Sequence, residues 1–418
     1  MTHPTLPGDF LWGIATAGHQ NEGDNTASDT WFLEHTSPSL FREPSGPACR
    51  GYDRWETDLD LAAGLGLNAF RFSVEWARVE PERGIVSAEA LDHYEQMVDG
   101  CLARGLAPLI TFSHFTAPHW FAAAGSWTAA DAPARFADQC DRVTARFGDR
   151  IAYAVTLNEP NLEQLLQEGA KLPPEAEALK TEMLAAAARA AGTASYASAN
   201  VIPADRQDEF QEAFTRAHRA AREAIKARRG DLPVGVSIAI ADEVALPGGE
   251  ERRDAKRAAV YDHWLREARQ DDFIGVQNYE RVVHGPEGEV EVAGERNGMG
   301  TTIAPGSLAG AVRYAHEVAG VPVLVTEHGI QTADDTQRAA FVPSAVHALA
   351  AEVDTGTPVL GYCHWTLMDN FEWIFGYGAQ LGLHEVDRVT FQRRPKPSAT
   401  AYADVVRAYR GTLAAGRI

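Results

Sequence analysis

Two glutamates close short motifs whose residue types suit acid and base chemistry: Glu159 in Thr156-Leu157-Asn158-Glu159-Pro160 and Glu327 in Val325-Thr326-Glu327-His328-Gly329. Two carboxyl groups delivered to one pocket by distant strands are what glycoside hydrolysis needs, one to protonate the leaving oxygen and one to attack the anomeric carbon. The apolar run before Glu159 would bury its carboxyl and raise its pKa, as a general acid requires, and Pro160 fixes the backbone just after it. Asn158 beside it offers an amide to a sugar hydroxyl. Read alone, Asn158-Glu159-Pro160 serves equally well as a helix N-terminal cap, and Glu327 as a strand-end carboxylate paired to a cation.

Eight short β-rich runs alternate with helical stretches and would carry these residues: 10–15, 69–73, 109–112, 153–157, 234–240, 273–277, 323–326 and 360–365. Eight such runs predict an α/β fold, a single (β/α)8 TIM barrel with elaborated βα loops spanning 1–418. Active sites of that barrel lie at the C-terminal ends of the strands, where Arg71, His114, Asn158, Glu159, Tyr279, Glu327 and Trp365 would converge. Helical periodicity is plainest over 52–65, 88–104, 132–147 and 212–228, which reads as part of the outer ring. Residues 175–210, rich in Ala and Glu, read either as exposed helices over the barrel mouth or as a lid. Residues 285–300 are polar and glycine-rich and read as a surface loop after the sixth strand.

The same motifs carry a family resemblance. From Leu6-Pro7-Gly8-Asp9-Phe10-Leu11-Trp12-Gly13 through Gln20 to Glu22-Gly23, at Arg71-Phe72-Ser73-Val74-Glu75-Trp76, at Thr111-Phe112-Ser113-His114-Phe115, at both glutamate motifs, at Gly361 to Trp373 and at Arg394-Pro395-Lys396-Pro397-Ser398, the chain resembles glycoside hydrolase family 1, the β-glucosidase family. The resemblance implies a retaining β-glycosidase. Glu159 matches the family's acid/base and Glu327 its nucleophile, while Arg71 and Tyr279 match the residues that keep the nucleophile ionised and oriented. Gln20, His114, Asn158, Glu372 and Trp373 match its sugar-binding set, and Trp365 the platform under the sugar ring. A carboxylate at Glu372 would disfavour a phosphorylated glycone.

Composition agrees with such an enzyme and excludes other classes. A formal charge of −20 over 418 residues, with no basic stripe, argues against a nucleic-acid partner. No run approaches the ~20 apolar residues of a membrane span, and the start Met1-Thr2-His3-Pro4-Thr5-Leu6-Pro7 lacks the cationic and apolar pattern of a secretory signal. The four scattered cysteines, Cys49, Cys101, Cys140 and Cys363, suit a cytoplasmic protein with core thiols. No metal-ligand motif and no glycine-rich phosphate loop occurs, so the sequence implies neither a metal nor a nucleotide cofactor. The expected partner is a small carbohydrate, with oligomeric state left open.

The chain also departs from the family. His328 follows the nucleophile where most members have Asn, Gln277 stands for the Asn of Gly-x-Asn-Tyr-Tyr, and Phe115-Thr116-Ala117-Pro118 replaces Trp-Asp-Leu-Pro. Leu381 stands near where a phenylalanine commonly closes the pocket around the sugar's outer carbon, Gln380 replaces an arginine, and the stretch after Asn161 lacks the usual aromatic and Pro-Gly signals. These departures read as changes in wall and aglycone contacts, with Leu381 broadening glycone tolerance. A non-catalytic sugar-binding barrel and a transglycosylase using the same intermediate are the competing readings. The retained pair of glutamates argues against the first.

Overall fold

The computed structural model describes residues 5–169 and 174–415. Residues 1–4, part of the segment read above for a secretory signal, and 170–173, inside the unfamiliar stretch after Asn161, lie outside the described residues.

Eight parallel strands close into a barrel: β1 (Leu11–Ala15), β2 (Ala69–Ser73), β3 (Ala107–Thr111), β4 (Tyr153–Asn158), β5 (Val234–Ala239), β6 (Phe273–Asn278), β7 (Val323–His328) and β8 (Val359–Trp365). Each strand pairs with its neighbours in sequence, and β1 closes the ring against β8 with Leu11 opposite Gly361 and Ala15 opposite Trp365. Glycine at 361 is required by that closure, because a Cβ there would lie 2.4 Å from the Leu11 Cβ. The outer ring is α1 (Gly51–Gly64), α2 (Ala88–Ala103), α3 (Ala132–Phe147), α4 (Gln207–Arg228), α5 (Glu250–Val260), α6 (Ser307–Ala319), α7 (Asp335–Asp354) and α8 (Pro397–Ala415). The expected strands and helices are all present, with ends shifted by a few residues.

Strand alternation sorts the core into two layers. Along β2, Phe70 and Phe72 join the layer between strands and helices, while Ala69 joins the barrel interior. Arg71, two residues beyond Ala69, therefore points inward.

Regular alternation would misplace two of the chemical residues. On β4, Val155 is interior and Leu157 belongs to the outer layer, and on β7, Leu324 is interior while Val323 and Val325 are outer. Each strand carries one extra residue relative to its neighbour: the β4–β5 register jumps between Val155 and Asn158, and the β7–β6 register between Val325 and Glu327. These bulges reset the alternation and turn Asn158 and Glu327 toward the barrel mouth, which is how bulges beside active sites re-aim a side chain.

The long βα loops close over the C-terminal end. Residues 175–210, left open between exposed helices and a lid, contain the helix Pro174–Ala191, whose Met183, Leu184 and Ala187 pack with Leu33, Phe41 and Phe371. The segment read as a surface loop follows the short strand Arg281–Gly285, which pairs on one side with Asp242–Ala245 and on the other with Gly288–Glu289 inside that segment. No helix among the described residues is long and apolar enough to cross a membrane.

Candidate active site

A cavity of about 480 Å³ opens at the C-terminal rim, and Gln20, His114, Glu159, Tyr279, Glu327, Trp365, Glu372 and Trp373 all line it. Asn158 faces an adjoining cavity that shares Glu159, and Arg71 lies fully buried beneath. The ten residues singled out in the sequence thus come together at one end of the barrel.

Arg71 organises the floor. Its Nη1 donates to Glu327 Oε1 at 2.6 Å and to the Thr326 carbonyl at 3.2 Å, its Nη2 to Asn158 Oδ1 at 2.5 Å, and its Nε to Thr111 Oγ1 at 3.0 Å. One guanidinium from β2 therefore ties together β3, β4 and β7. Tyr279 OH donates to the other oxygen of Glu327, Oε2, at 2.7 Å. Gln277, noted in the sequence only as a departure, completes the set: its Nε2 lies 2.7 Å from Asn158 Oδ1 and 2.9 Å from Glu327 Oε1. Its place on β6 two residues before Tyr279 was the signal available, because both then face the interior.

Glu159 has a different environment. No described residue hydrogen-bonds its carboxyl, and its backbone is left-handed at φ 46°. Non-glycine residues in that region cost on the order of 1–3 kcal/mol, and Phe115 at φ 65° and Trp373 at φ 49° on the same cavity bear the same strain. Burial pushes Glu159 well above the usual carboxylate range, and the negative charge of Glu327 pushes it further. Burial raises Glu327 too and leaves it above its ordinary value, but the Arg71 charge and the hydrogen bonds from Arg71, Tyr279 and Gln277 pull it part of the way back. Of two carboxyls that repel each other, Glu159 is the one that keeps a proton. Burial also holds Tyr279 far above its ordinary range, so its OH remains a donor.

The remaining groups form a polar wall opposite the pair. Trp365 Nε1 donates to Glu372 Oε1 at 3.1 Å, and Gln20 Nε2 to the Phe371 carbonyl at 2.9 Å. The His114 ring runs nearly parallel to Trp365 and Trp373, and behind Trp373 lies His19, stacked at 5.7 Å and held by Glu34 at 2.8 Å. Burial, aided by the Arg71 charge, keeps His114 neutral. Four buried polar atoms of this region, Gln20 Oε1, His114 Nδ1, Asn158 Nδ2 and Gln277 Oε1, have no protein partner among the described residues. Buried polar groups are rarely left unpaired, so a ring bearing several hydroxyls is the kind of ligand these floor and wall groups would satisfy.

One expectation needs correction. His328 is not a wall residue: its Nδ1 lies 3.0 Å from Tyr362 OH and its ring stacks on Phe341 of α7 at 5.0 Å, on the outer side of β7. Having Glu327 turned inward leaves the next residue facing the helices, where burial holds His328 neutral with a pKa down to about 3. Burial pushes the Glu372 carboxyl up to about 8. Leu381 does line the cavity, beside Ala379.

A (β/α)8 barrel with two unlike carboxyls in a sugar-sized cavity is the class that fold and site define. The sequence profile described as "Glycosyl hydrolase family 1" matches residues 2–279 and 269–410. The "Thermostable beta-glucosidase B" of Thermobispora bispora is 30% identical over 443 aligned residues, covering 96% of this chain and 91% of the relative. The "Bifunctional beta-D-glucosidase/beta-D-fucosidase" of Bifidobacterium breve is 28% identical, covering 95% and 97%. Among solved structures, the beta-glycosidase BGL167 superposes with a TM-score of 0.89 at 46% identity, covering 96% of this chain and 97% of that one. The chain belongs to glycosyl hydrolase family 1.

The shifted Glu372 gives a pH test that needs no substrate. Its folded-state pKa of about 8 lies above the ordinary 4.5, so its cost to folding is absent below about pH 4.5 and grows as pH rises toward 8. Glu372→Gln is expected to gain stability over the parent between pH 5 and pH 8, by up to about 1.4 kcal/mol per pH unit. Thermal melts of both proteins across that range check this, and a difference independent of pH would contradict it.

Proposed function

We propose that this protein is a retaining β-glucosidase that hydrolyses terminal, non-reducing β-D-glycosides through a covalent glycosyl-enzyme intermediate. The observation that carries the proposal is the unequal setting of the two carboxyls, Glu327 held by Arg71, Gln277 and Tyr279, and Glu159 buried without a hydrogen-bond donor. Family membership and the β-glucosidase names of the relatives support it.

In the first step, a Glu327 oxygen attacks the anomeric carbon while the bond to the leaving oxygen breaks, and Glu159 transfers its proton to that oxygen, releasing an alcohol. Glu327 Oε1 accepts from both Arg71 and Gln277, whereas Oε2 accepts only from Tyr279, which leaves Oε2 the better nucleophile. Loss of the Glu327 charge on esterification removes one cause of the raised Glu159 pKa. The Glu159 carboxylate, ionised by its first donation, then takes a proton from water as that water attacks the anomeric carbon and breaks its bond to the Glu327 oxygen, freeing the sugar and the Glu327 carboxylate. Each inversion at the anomeric carbon cancels the other.

Gln20, His114, Asn158, Glu372 and Trp373 would hold the glycone hydroxyls, with Trp365 beneath the ring. Asn158 Oδ1 already accepts from Arg71 and Gln277, so its amide is turned to present Nδ2 to the sugar. Leu381 on the cavity wall, where an aromatic would narrow the pocket, supports tolerance of glycones that differ at the outer carbon.

Two sets of variants test these roles. Glu327→Gly is expected to lose at least about 10⁴-fold in kcat/KM and to recover with azide as α-glucosyl azide, whereas Glu159→Gly with azide should yield β-glucosyl azide; full activity of Glu327→Gly would refute the assignment. Gln277→Ala removes a hydrogen bond to a charged group, worth about 1.5–3 kcal/mol, so kcat/KM should fall roughly 10- to 100-fold. Its acidic limb should also move to higher pH, because Glu327 loses a donor that favours its ionised form; an unshifted pH profile would deny Gln277 that role.

A further inference from the structure

The carboxyl of Glu159 accepts no hydrogen bond from any described residue, so no polar partner fixes where it sits. Its backbone is left-handed at φ 46°, a conformation that persists only where the surroundings over-determine it. Glu159 N donates to the Ser237 carbonyl of β5 at 2.8 Å, and the Glu159 carbonyl accepts from Leu162 N at 3.0 Å, which closes a turn through Pro160 and Asn161. Pro160 has no N–H to add to this anchorage. The last paired residues of β4 and β5 are Asn158 and Ser237, so the turn begins where strand pairing has run out.

One side chain takes over from the strand pairing. Asn161 is fully buried; its Oδ1 accepts from Ala239 N at 3.0 Å, and its Nδ2 donates to the Ala239 carbonyl at 2.8 Å and to the Val260 carbonyl at 3.3 Å. It thereby ties the turn after β4 to the last residue of β5 and the last residue of α5. Asparagine in this place would ordinarily cap the helix that follows, Leu162–Glu168, by accepting from an N–H two or three residues on. Asn161 makes no such cap, and its amide is engaged across the strand instead. The pattern needs an acceptor and a donor on one side chain, which an amide carries and an ionised aspartate lacks. Asn161 lines neither cavity at the barrel mouth, whereas Glu159 lines both.

On the reading of Glu159 as the acid/base, we infer that Asn161 is its positioning residue: the amide fastened to Ala239 and Val260 holds the strained turn in place and keeps the Glu159 carboxyl within proton-transfer reach of the leaving oxygen, without touching the substrate. A misplacement of about 1 Å at a reacting group can cost about 10²-fold in rate. Here that loss falls only on steps in which Glu159 moves a proton. Glu327, held by its own donors on β2 and β6 and after β6, keeps its nucleophilic role when Asn161 is changed.

The test compares kcat/KM for methyl β-D-glucoside, whose leaving oxygen needs a proton, with that for 2,4-dinitrophenyl β-D-glucoside, whose leaving group departs without one. The variants are Asn161→Ala, Asn161→Asp, which keeps the size and turns an oxygen toward two carbonyls, and Asn161→Ser as the milder change if the others fail to fold. The ratio of the two substrates on one sample does not depend on the fraction folded. Each variant is expected to lose at least about 30-fold on the methyl glucoside and no more than about threefold on the dinitrophenyl glucoside. Azide, which needs no base, should raise kcat on the dinitrophenyl substrate in the variants and release β-glucosyl azide, with no such rise in the parent. An equal loss on both substrates, or no loss, would overturn the inference. Glu159→Ala in the same series separates the two readings: if it too shows no leaving-group dependence, the acid assignment falls and Asn161 with it, and if it does while the Asn161 variants do not, the inference about Asn161 falls alone.

Discussion

A guanidinium buried at the centre of a barrel mouth is the constraint on which the site depends. Arg71 has no exposed surface, and a charge taken from water into a protein interior costs several kcal/mol unless it is paired and its donors are satisfied. The barrel satisfies Arg71 with the carboxylate of Glu327, two side-chain oxygens and one carbonyl, drawn from three other strands. That charge can neutralise one carboxylate. A second carboxyl set beside the first, with no donor of its own, is left to keep its proton, which is the state ascribed here to Glu159.

Backbone irregularity turns this electrostatic pattern into a usable geometry. The bulges on β4 and β7 bring Asn158 and Glu327 onto the same face as Arg71, and the left-handed residue at Glu159 aims its carboxyl over the cavity. Each device weakens local regularity, and a carboxyl with a pKa near 8 at Glu372 adds a further cost near neutral pH. The two apolar layers of the barrel supply the stability that makes such departures tolerable.

How much of this was legible in the sequence differs by scale. The eight strands were visible because each is a short apolar run of β-forming residues bounded by polar ones, and their ends named the mouth residues directly. The bulges were not visible: strict alternation from Val323 and Val325 would have turned Glu327 outward, and only the pairing register between neighbouring strands reveals the extra residue. His328 was misread for the same reason, being adjacent in sequence to the nucleophile yet opposite in facing. Gln277 was read as a loss of the usual asparagine, although its longer side chain still reaches both Asn158 and Glu327. The cavity adjoining the catalytic one is lined by helices that meet from separate segments, and composition alone carries no trace of that meeting. A partial signal did exist, in the spacing of Leu162, Leu165 and Leu166, which marks an apolar face on the short helix after Asn161.

The central claim is that the pair holds a single proton, and holds it on Glu159 because the Glu327 charge is fixed in place. Titration of the glutamate side-chain carboxyls by ¹³C NMR, in the parent protein and in Glu327→Gln, measures this directly. The account requires Glu159 to titrate well above the ordinary carboxylate range in the parent, and to titrate at lower pH once the neighbouring charge is removed. An ordinary Glu159 titration in the parent, or one unmoved by Glu327→Gln, would contradict it.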